Sequence, residues 1–233
     1  MHQVKGIVDR NLWGDYLKKI DPRVSLDQIQ VKLIEFEPGE CLCEQGYALD
    51  YLFFLVKGKV KIYVTSSEGK RLIVTFNRPV QIFGDIELIQ KVNVLNTIEA
   101  VSTVHAFAIP VETANKLCME AAFNQYLLEV VGRKFLTKSM TLSFHLLNEA
   151  DARFASYLFS ISHNENGQFY QPFIAKKDLK EIAEFIGTTV RHQNRIIQIF
   201  QQEGILERAP DGIKISDPNL LKEKAKDNLY EMQ

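Results

Sequence analysis

Between Thr188 and Gln202 the chain carries no acidic residue, and Arg191, His192, Asn194 and Arg195 fall within two helical turns. These residue types can read base edges. A guanidinium pairs bidentately with guanine and an amide with adenine, and each good pair discriminates by about 1–3 kcal/mol. Lys176 and Lys177 ahead of that stretch, and Arg208 and Lys214 beyond it, carry charge suited to phosphates. A second group, Phe83, Gly84, Asp85 and Glu87, opens like a pocket for an anionic ligand: a glycine, an acid, then an apolar run. Asn96-Thr97 or Val94-Leu95, depending on alignment, stands where such a pocket would finish. Neither Arg nor Lys occurs from Val92 to Thr103, so that segment offers no cation for a phosphate.

The base-reading residues need a rigid support. Leu179, Ile182, Ala183 and Ile186 recur at i, i+3, i+4 and i+7, which gives a short helix one apolar face. Gly187 can end it in the left-handed conformation. The hydroxyl of Thr188 or Thr189 can cap the next helix, placing Thr188, Thr189 and Val190 at its leading edge. Ile196, Ile197 and Phe200 form its inward face, and Gly204 stops it. "ILERAPDGIKIS" then reads as a hairpin turning at Pro210-Asp211-Gly212. Two helices joined by a glycine turn and followed by a hairpin make a winged helix-turn-helix. In that motif the N-terminal part of the second helix enters the major groove. "ADARFASYLFSIS" upstream reads as a short amphipathic helix, and "HNENGQ" as a turn-rich break.

The N-terminal half has another texture. Residues 1 to about 28 read as helical, with Leu12, Trp13, Tyr16 and Leu17 on one side. From Val31 to Pro110 short apolar runs alternate with turns at Pro38-Gly39, Lys57-Gly58 and Glu68-Gly69. Val60, Ile62 and Val64 against Lys59, Lys61 and Tyr63 is period-two alternation, with one face buried. Many short strands joined by glycine turns imply a sandwich or barrel-like roll. From Val111 to about Asn148 the pattern is helical again. Leu128, Phe135 and Leu142 are spaced by seven, with Val131 and Leu146 on the same side. Such a stripe packs either on the chain's own β domain or against the same helix of a second copy. The reading is an α+β chain: a β-roll with an N-terminal helix over 1–110, a helical segment over 111–148, and a winged helix over 149–233.

Composition sets bounds. With 233 residues, 46% hydrophobic and 24% charged, the chain can build one large domain or two modest ones. A net charge of -1 gives no global attraction to nucleic acid, although a local basic face is sufficient. No run approaches the roughly 20 apolar residues of a membrane helix, and "MHQVKGIVDR" lacks a signal peptide's apolar block. The expected location is the cytosol, with no membrane partner. Cys41, Cys43 and Cys118 supply too few ligands for a zinc or iron–sulfur site. No metal is expected, and the thiols are either inert or a redox sensor. His105 reads as structural and His192 as a DNA contact. No nucleophile–base constellation or phosphate loop points to an enzyme.

Over nearly its full length the chain resembles the cyclic-AMP receptor protein/FNR superfamily of bacterial transcription regulators. The resemblance rests on "YLFFLVKGKVKIYV", "FGDIELI", "ARFASYL" and "KDLKEIAEFIGTTVRHQNR", and the second of these looks closest to the YeiL-like subgroup. It implies a jelly-roll of the cyclic-nucleotide-binding type (a double-stranded β-helix), a long dimerisation helix and a C-terminal winged helix. It implies a homodimer on a palindromic site in double-stranded DNA, RNA polymerase as a further partner, and base-reading positions at Val190, Arg191 and Arg195. Two departures matter. The family's usual Arg-Glu pair is Val190-Arg191 here, and Gln193 stands where an apolar residue is usual, so it should be hydrogen-bonded or partly exposed. Cyclic-nucleotide members hold ribose with Gly-Glu and phosphate with Arg followed by Ser or Thr. Here Gly84-Asp85 keeps a shortened first half, and the arginine is missing. Cyclic AMP is therefore not an expected ligand, and no cofactor is expected. The roll then binds another, unknown small-molecule effector, binds none, or senses through a thiol. A rival reading is a sensor module whose C-terminal domain binds protein instead of DNA.

Overall fold

The computed structural model describes residues 12–24, 26, 29–171 and 173–226. Contacts divide the chain into two compact units, Met1–Ile62 with Asn77–Leu136, and Tyr63–Phe76 with Thr137–Gln233.

The N-terminal half supplies short strands: β1 (Lys32–Phe36), β2 (Cys41–Cys43), β3 (Tyr51–Lys57), β4 (Val60–Thr65), β5 (Arg71–Asn77), β6 (Gln81–Phe83), β7 (Thr97–Ala100) and β8 (Val104–Pro110). They form two four-stranded sheets, ordered β1-β8-β3-β6 and β2-β7-β4-β5. The β1–β2, β3–β4 and β4–β5 connections fall at the glycine turns Pro38-Gly39, Lys57-Gly58 and Glu68-Gly69. The antiparallel register Leu33↔Phe107, and Phe54↔Phe107 on the other edge of β8, brings bulky side chains to the inner face. The expected one-sided burial of β4 is only partly found. Val60 and Ile62 are buried, but so are Lys59 and Tyr63. Tyr63 is covered from its other side by the Phe185 ring, 5.2 Å away, an apolar contact that period-two reasoning cannot see.

The N-terminal helix is shorter than the sequence pattern suggests. Residues 1–11 lie outside the described residues, and α1 spans only Trp13–Leu17. Asp21 precedes Pro22, a position that disfavours helix, and the chain continues through turns that still bury Ile20, Val24 and Leu26.

The helical segment is divided. A short α2 (Asp85–Gln90) follows β6, α3 (Val111–Leu117) follows β8, and after a turn at Cys118–Glu120 comes the long α4 (Ala121–Leu147). Phe123, Tyr126, Leu127 and Val130, at helical spacing, join the roll's core with Phe54, Ile82 and Phe107. The Phe54 and Tyr126 rings stack at 6.3 Å. Each fully buried side chain of this size contributes about 1.5–3 kcal/mol. The heptad residues lie elsewhere on α4: Leu128 is 74%, Phe135 70%, Leu142 60% and Leu146 77% exposed, while Val131 is half-buried. Packing on the chain's own roll thus uses a different face from the stripe.

The second unit contains α5 (Ala150–Ser162), β9 (Phe173–Ala175), α6 (Leu179–Phe185), α7 (Val190–Gln202), β10 (Leu206–Ala209), β11 (Gly212–Ile215) and α8 (Pro218–Lys224). Contrary to the amphipathic reading, α5 is buried on most sides. Ala152, Phe154, Ser156, Tyr157, Leu158 and Ser160 are all inside, with Ser156 Oγ donating to Ala225 O at 2.8 Å. Small and hydroxyl side chains allow this, because a serine can return its hydroxyl to a backbone carbonyl. The residues Tyr63–Phe76 of β4 and β5 belong to the same unit. Phe76 meets Tyr157 at 5.7 Å, and Arg71 pairs with Glu181 at 3.0 Å.

Candidate nucleic-acid interface

The interface is assembled around one turn. Ile182, Ala183, Phe185 and Ile186 are buried, which fixes α6 on its apolar face. Gly187 follows with φ +66°, a conformation that costs little only without a Cβ. Arg153 secures this corner from α5, its Nε donating to Ile186 O at 2.9 Å and Nη1 to Asn148 O at 2.7 Å. Thr189 is the N-cap of α7: its Oγ1 accepts from the His192 backbone N at 3.1 Å. Thr188 takes another part, its hydroxyl meeting His192 Nδ1 at 3.3 Å.

With Ile196, Ile197 and Phe200 buried, α7 turns the opposite face outward. Val190, Arg191, His192, Asn194 and Arg195 are all exposed there. Arg191 and Arg195 have no hydrogen bond or ion pair among the described residues, so their guanidinium groups are available to a ligand. An uncommitted, acid-free positive surface at a helix N-terminus favours an anion through both its side chains and the helix dipole.

The wing is the two-residue hairpin β10–β11, paired Ala209↔Gly212 and Leu206↔Ile215. A third strand, β9, pairs with β11 (Ile213↔Ile174), an element the sequence pattern did not reveal. Its three residues are too few to show a period. Lys176, whose backbone N donates to Asp211 O at 2.7 Å, follows β9 directly. Lys176, Lys177, Arg208 and Lys214 are exposed, with two acids among them, Glu207 opposite Lys214 and Asp211 at the tip.

One expectation fails on this helix. Gln193 is fully buried, and neither Nε2 nor Oε1 has a hydrogen-bond partner among the described residues. Its position on the same face as Ile196, Ile197 and Phe200 drives it inward, because the helix cannot bury three of them and spare the fourth.

The residues of the candidate effector pocket are placed as follows. Phe83 is buried at the end of β6, and Gly84, with φ +90°, starts α2. A Cβ on Gly84 would lie 2.8 Å from Leu49 Cδ1, so the glycine is required by shape as well as conformation. Glu87 accepts from the Leu95 backbone N at 3.0 Å, and Thr97 Oγ1 from the Gln45 backbone N at 3.2 Å. Asn96 is half-buried. Asp85 is 2% exposed and is met by a residue that the sequence reading missed: Lys134 of α4, whose Nζ donates to Oδ1 at 2.6 Å. The cation absent from residues 92–103 is thus supplied from the long helix, inside the same unit. A cavity of about 680 Å³ in this unit is lined instead by β1, β2 and residues 47–51. None of the six candidate residues lines it.

All three thiols are held above their usual range. Burial pushes Cys43 well above the usual thiol range, with Glu87 adding to it, and pushes Cys41 up to about 11, with Glu99 and Glu44 assisting. Burial also raises Cys118. His105 is structural: buried, it meets Tyr16 Oη at 2.8 Å and Glu35 at 2.9 Å. Among the described residues no group of side chains could hold a metal ion, and no helix is long and apolar enough to cross a membrane.

A β-roll, a long helix with an exposed apolar stripe and a winged helix with a free basic edge define a two-domain DNA-binding regulator. The cyclic nucleotide-binding domain model matches residues 33–121, and the Crp-like helix-turn-helix domain model matches residues 152–224. The chain belongs to the Crp/Fnr superfamily of transcription regulators. It is similar to the regulatory protein YeiL of Escherichia coli O157:H7, at 22% identity over 80% of this chain and 82% of that protein. It is likewise similar to the transcriptional activator protein FnrA of Stutzerimonas stutzeri, at 24% identity over 83% of this chain and 80% of that protein. A Crp/Fnr-family regulator from Eubacterium rectale has the same fold, with TM-score 0.73, 19% identity and coverage of 92% and 97% of the two chains.

Proposed function

We propose that the chain acts in the cytosol as a homodimer, binds a palindromic operator through α7, and is not controlled by cyclic AMP. The observation that carries the reading is the outward face of α7, where Arg191 and Arg195 stand exposed and unpaired on a helix capped by Thr189. Arg191 and Arg195 read bases, Asn194 and Val190 add an amide and a methyl contact, and the wing and Lys176–Lys177 hold phosphates. Dimerisation is supported by Leu128, Phe135, Leu142 and Leu146, which would otherwise leave a heptad stripe in water. Against cyclic AMP, the lysine reaching the Gly84-Asp85 turn already neutralises Asp85, and no second cation follows in residues 92–103. An anion taken into such a site would lose solvation without compensation. The raised thiols favour an inert role for the cysteines. FnrA is named as an activator, and on that ground recruitment of RNA polymerase is the expected output.

The test is selection of binding sites from random duplex DNA. The expected product is an inverted repeat with half-sites about 34–36 Å apart. Affinity should fall steeply with salt as counterions are released. Native mass spectrometry should give two copies per complex, and calorimetry with cyclic AMP should give no binding heat at micromolar concentration. A monomer that ignores every duplex at low ionic strength overturns the proposal.

A further inference from the structure

We infer that Lys134 is a built-in substitute for an effector: its ammonium ties α4 to the Gly84-Asp85 turn and holds the regulator in its DNA-binding state with no ligand. The inference rests on the function proposed above.

The contact is a corner made from three sides. Lys134 Nζ donates to Asp85 Oδ1 and to Ile82 O, each at 2.6 Å, and lies 5.6 Å from the centroid of the Phe83 ring. All three partners belong to β6 or the first residue of α2. Asp85 is buried, and its Oδ2 has no hydrogen-bond partner, so Lys134 is what compensates its charge. The loss of either member of such a pair leaves a buried charge uncompensated.

Its geometry bears on dimerisation. Lys134 continues the inward face of Phe123, Tyr126, Leu127 and Val130, while the next residue, Phe135, belongs to the exposed stripe. At 3.6 residues per turn, adjacent positions differ by about 100° around the axis. Fixing Lys134 on Asp85 therefore fixes the rotation of this part of α4, and with it the direction in which Leu128 and Phe135 point. A ligand that bridged the turn and the helix would do the same from outside; here the bridge is covalently part of the chain.

The experiment compares wild type with Asp85→Asn/Lys134→Gln, which removes both charges, and Asp85→Lys/Lys134→Asp, which reverses them. Hydrogen exchange of the α4 amides from Leu127 to Leu136 is measured together with affinity for the selected operator. In the neutral variant both exchange rate and operator Kd should rise more than about threefold, and the reversed pair should recover both. A smaller change in either quantity, or tighter operator binding, overturns the inference. Should the double variant not fold, Asp85→Asn alone decides by the same criterion, since Lys134 keeps its bond to Ile82. A wild-type chain that binds no duplex defeats the proposed function and not the clamp, for which exchange then decides.

Discussion

Gln193→Met should stabilise the protein. Gln193 is fully buried, and both polar atoms of its amide lack partners. A buried polar group left unsatisfied costs about 1–3 kcal/mol. Methionine has nearly the same length, is unbranched and has a similar helix propensity, so the exchange leaves no cavity and disturbs no backbone. The expected gain is about 1–3 kcal/mol, the desolvation cost removed. Urea unfolding followed by far-ultraviolet circular dichroism would read this as a higher midpoint at unchanged slope. Gln193→Ala is the informative control: it removes the same amide but opens a void, so its gain should be smaller or negative. Operator affinity should stay the same in Gln193→Met, because the side chain lies under α7 and not on its outer face. A loss of stability of about 1 kcal/mol or more in Gln193→Met would refute the reasoning, since it would mean that the amide makes a bond worth keeping.

Other substitutions follow from single contacts. Thr189→Ala removes the cap that accepts from His192 N, and should cost about 1 kcal/mol in the same unfolding assay; an unchanged midpoint would count against the cap. Arg191→Ala and Arg195→Ala should relax sequence preference in a repeated site selection. Lys177→Ala should weaken all sequences alike and reduce the salt slope by about 1. Phe135→Asp, at a position 70% exposed, should convert dimer to monomer in sedimentation while the roll keeps its circular dichroism spectrum; persistence of the dimer would exclude this stripe as the seam. Burial holds His105 below its ordinary pKa of about 6.5 against the opposing pull of Glu35. The native state thus disfavours the proton that the unfolded chain accepts. Stability from this residue is present above about pH 6.5 and is lost as pH falls below it. In His105→Gln the thermal midpoint should vary less between pH 6.5 and 5, and an unaltered profile would remove His105 as the cause.

The sequence made some parts of this architecture legible and concealed others, for physical reasons. Much of the roll, the Gly187 turn, a threonine cap at 188 or 189 and the wing are written in local patterns: alternation, helical spacing and turn residues. The free face of α7 followed directly, because an acid-free stretch beside Ile196, Ile197 and Phe200 already separates an inner from an outer side. Lys134 was not legible, because it meets Asp85 across 49 positions and ordinary helix spacing gives no sign of it. The burial of Tyr63 escaped for the same reason, since Phe185 covers it from a remote helix. In α5, serines that look solvent-facing in a pattern are inside because their hydroxyls find carbonyls. Gln193 is the reverse case, where the pattern placed an amide inside and the rule that such groups find partners was not obeyed.

The cysteines of the roll have a practical corollary for spectroscopy. The thiolate is the species that attacks an alkylating reagent, and burial that pushes Cys41 up to about 11 leaves it about a hundredfold less ionised at neutral pH than an ordinary thiol. A single cysteine engineered at the tip of the wing, in place of Asp211, would therefore capture a maleimide dye ahead of Cys41 and Cys43. Of the native thiols only the half-buried Cys118 would need replacing, and the fluorophore would report on the wing's proposed contact with duplex DNA.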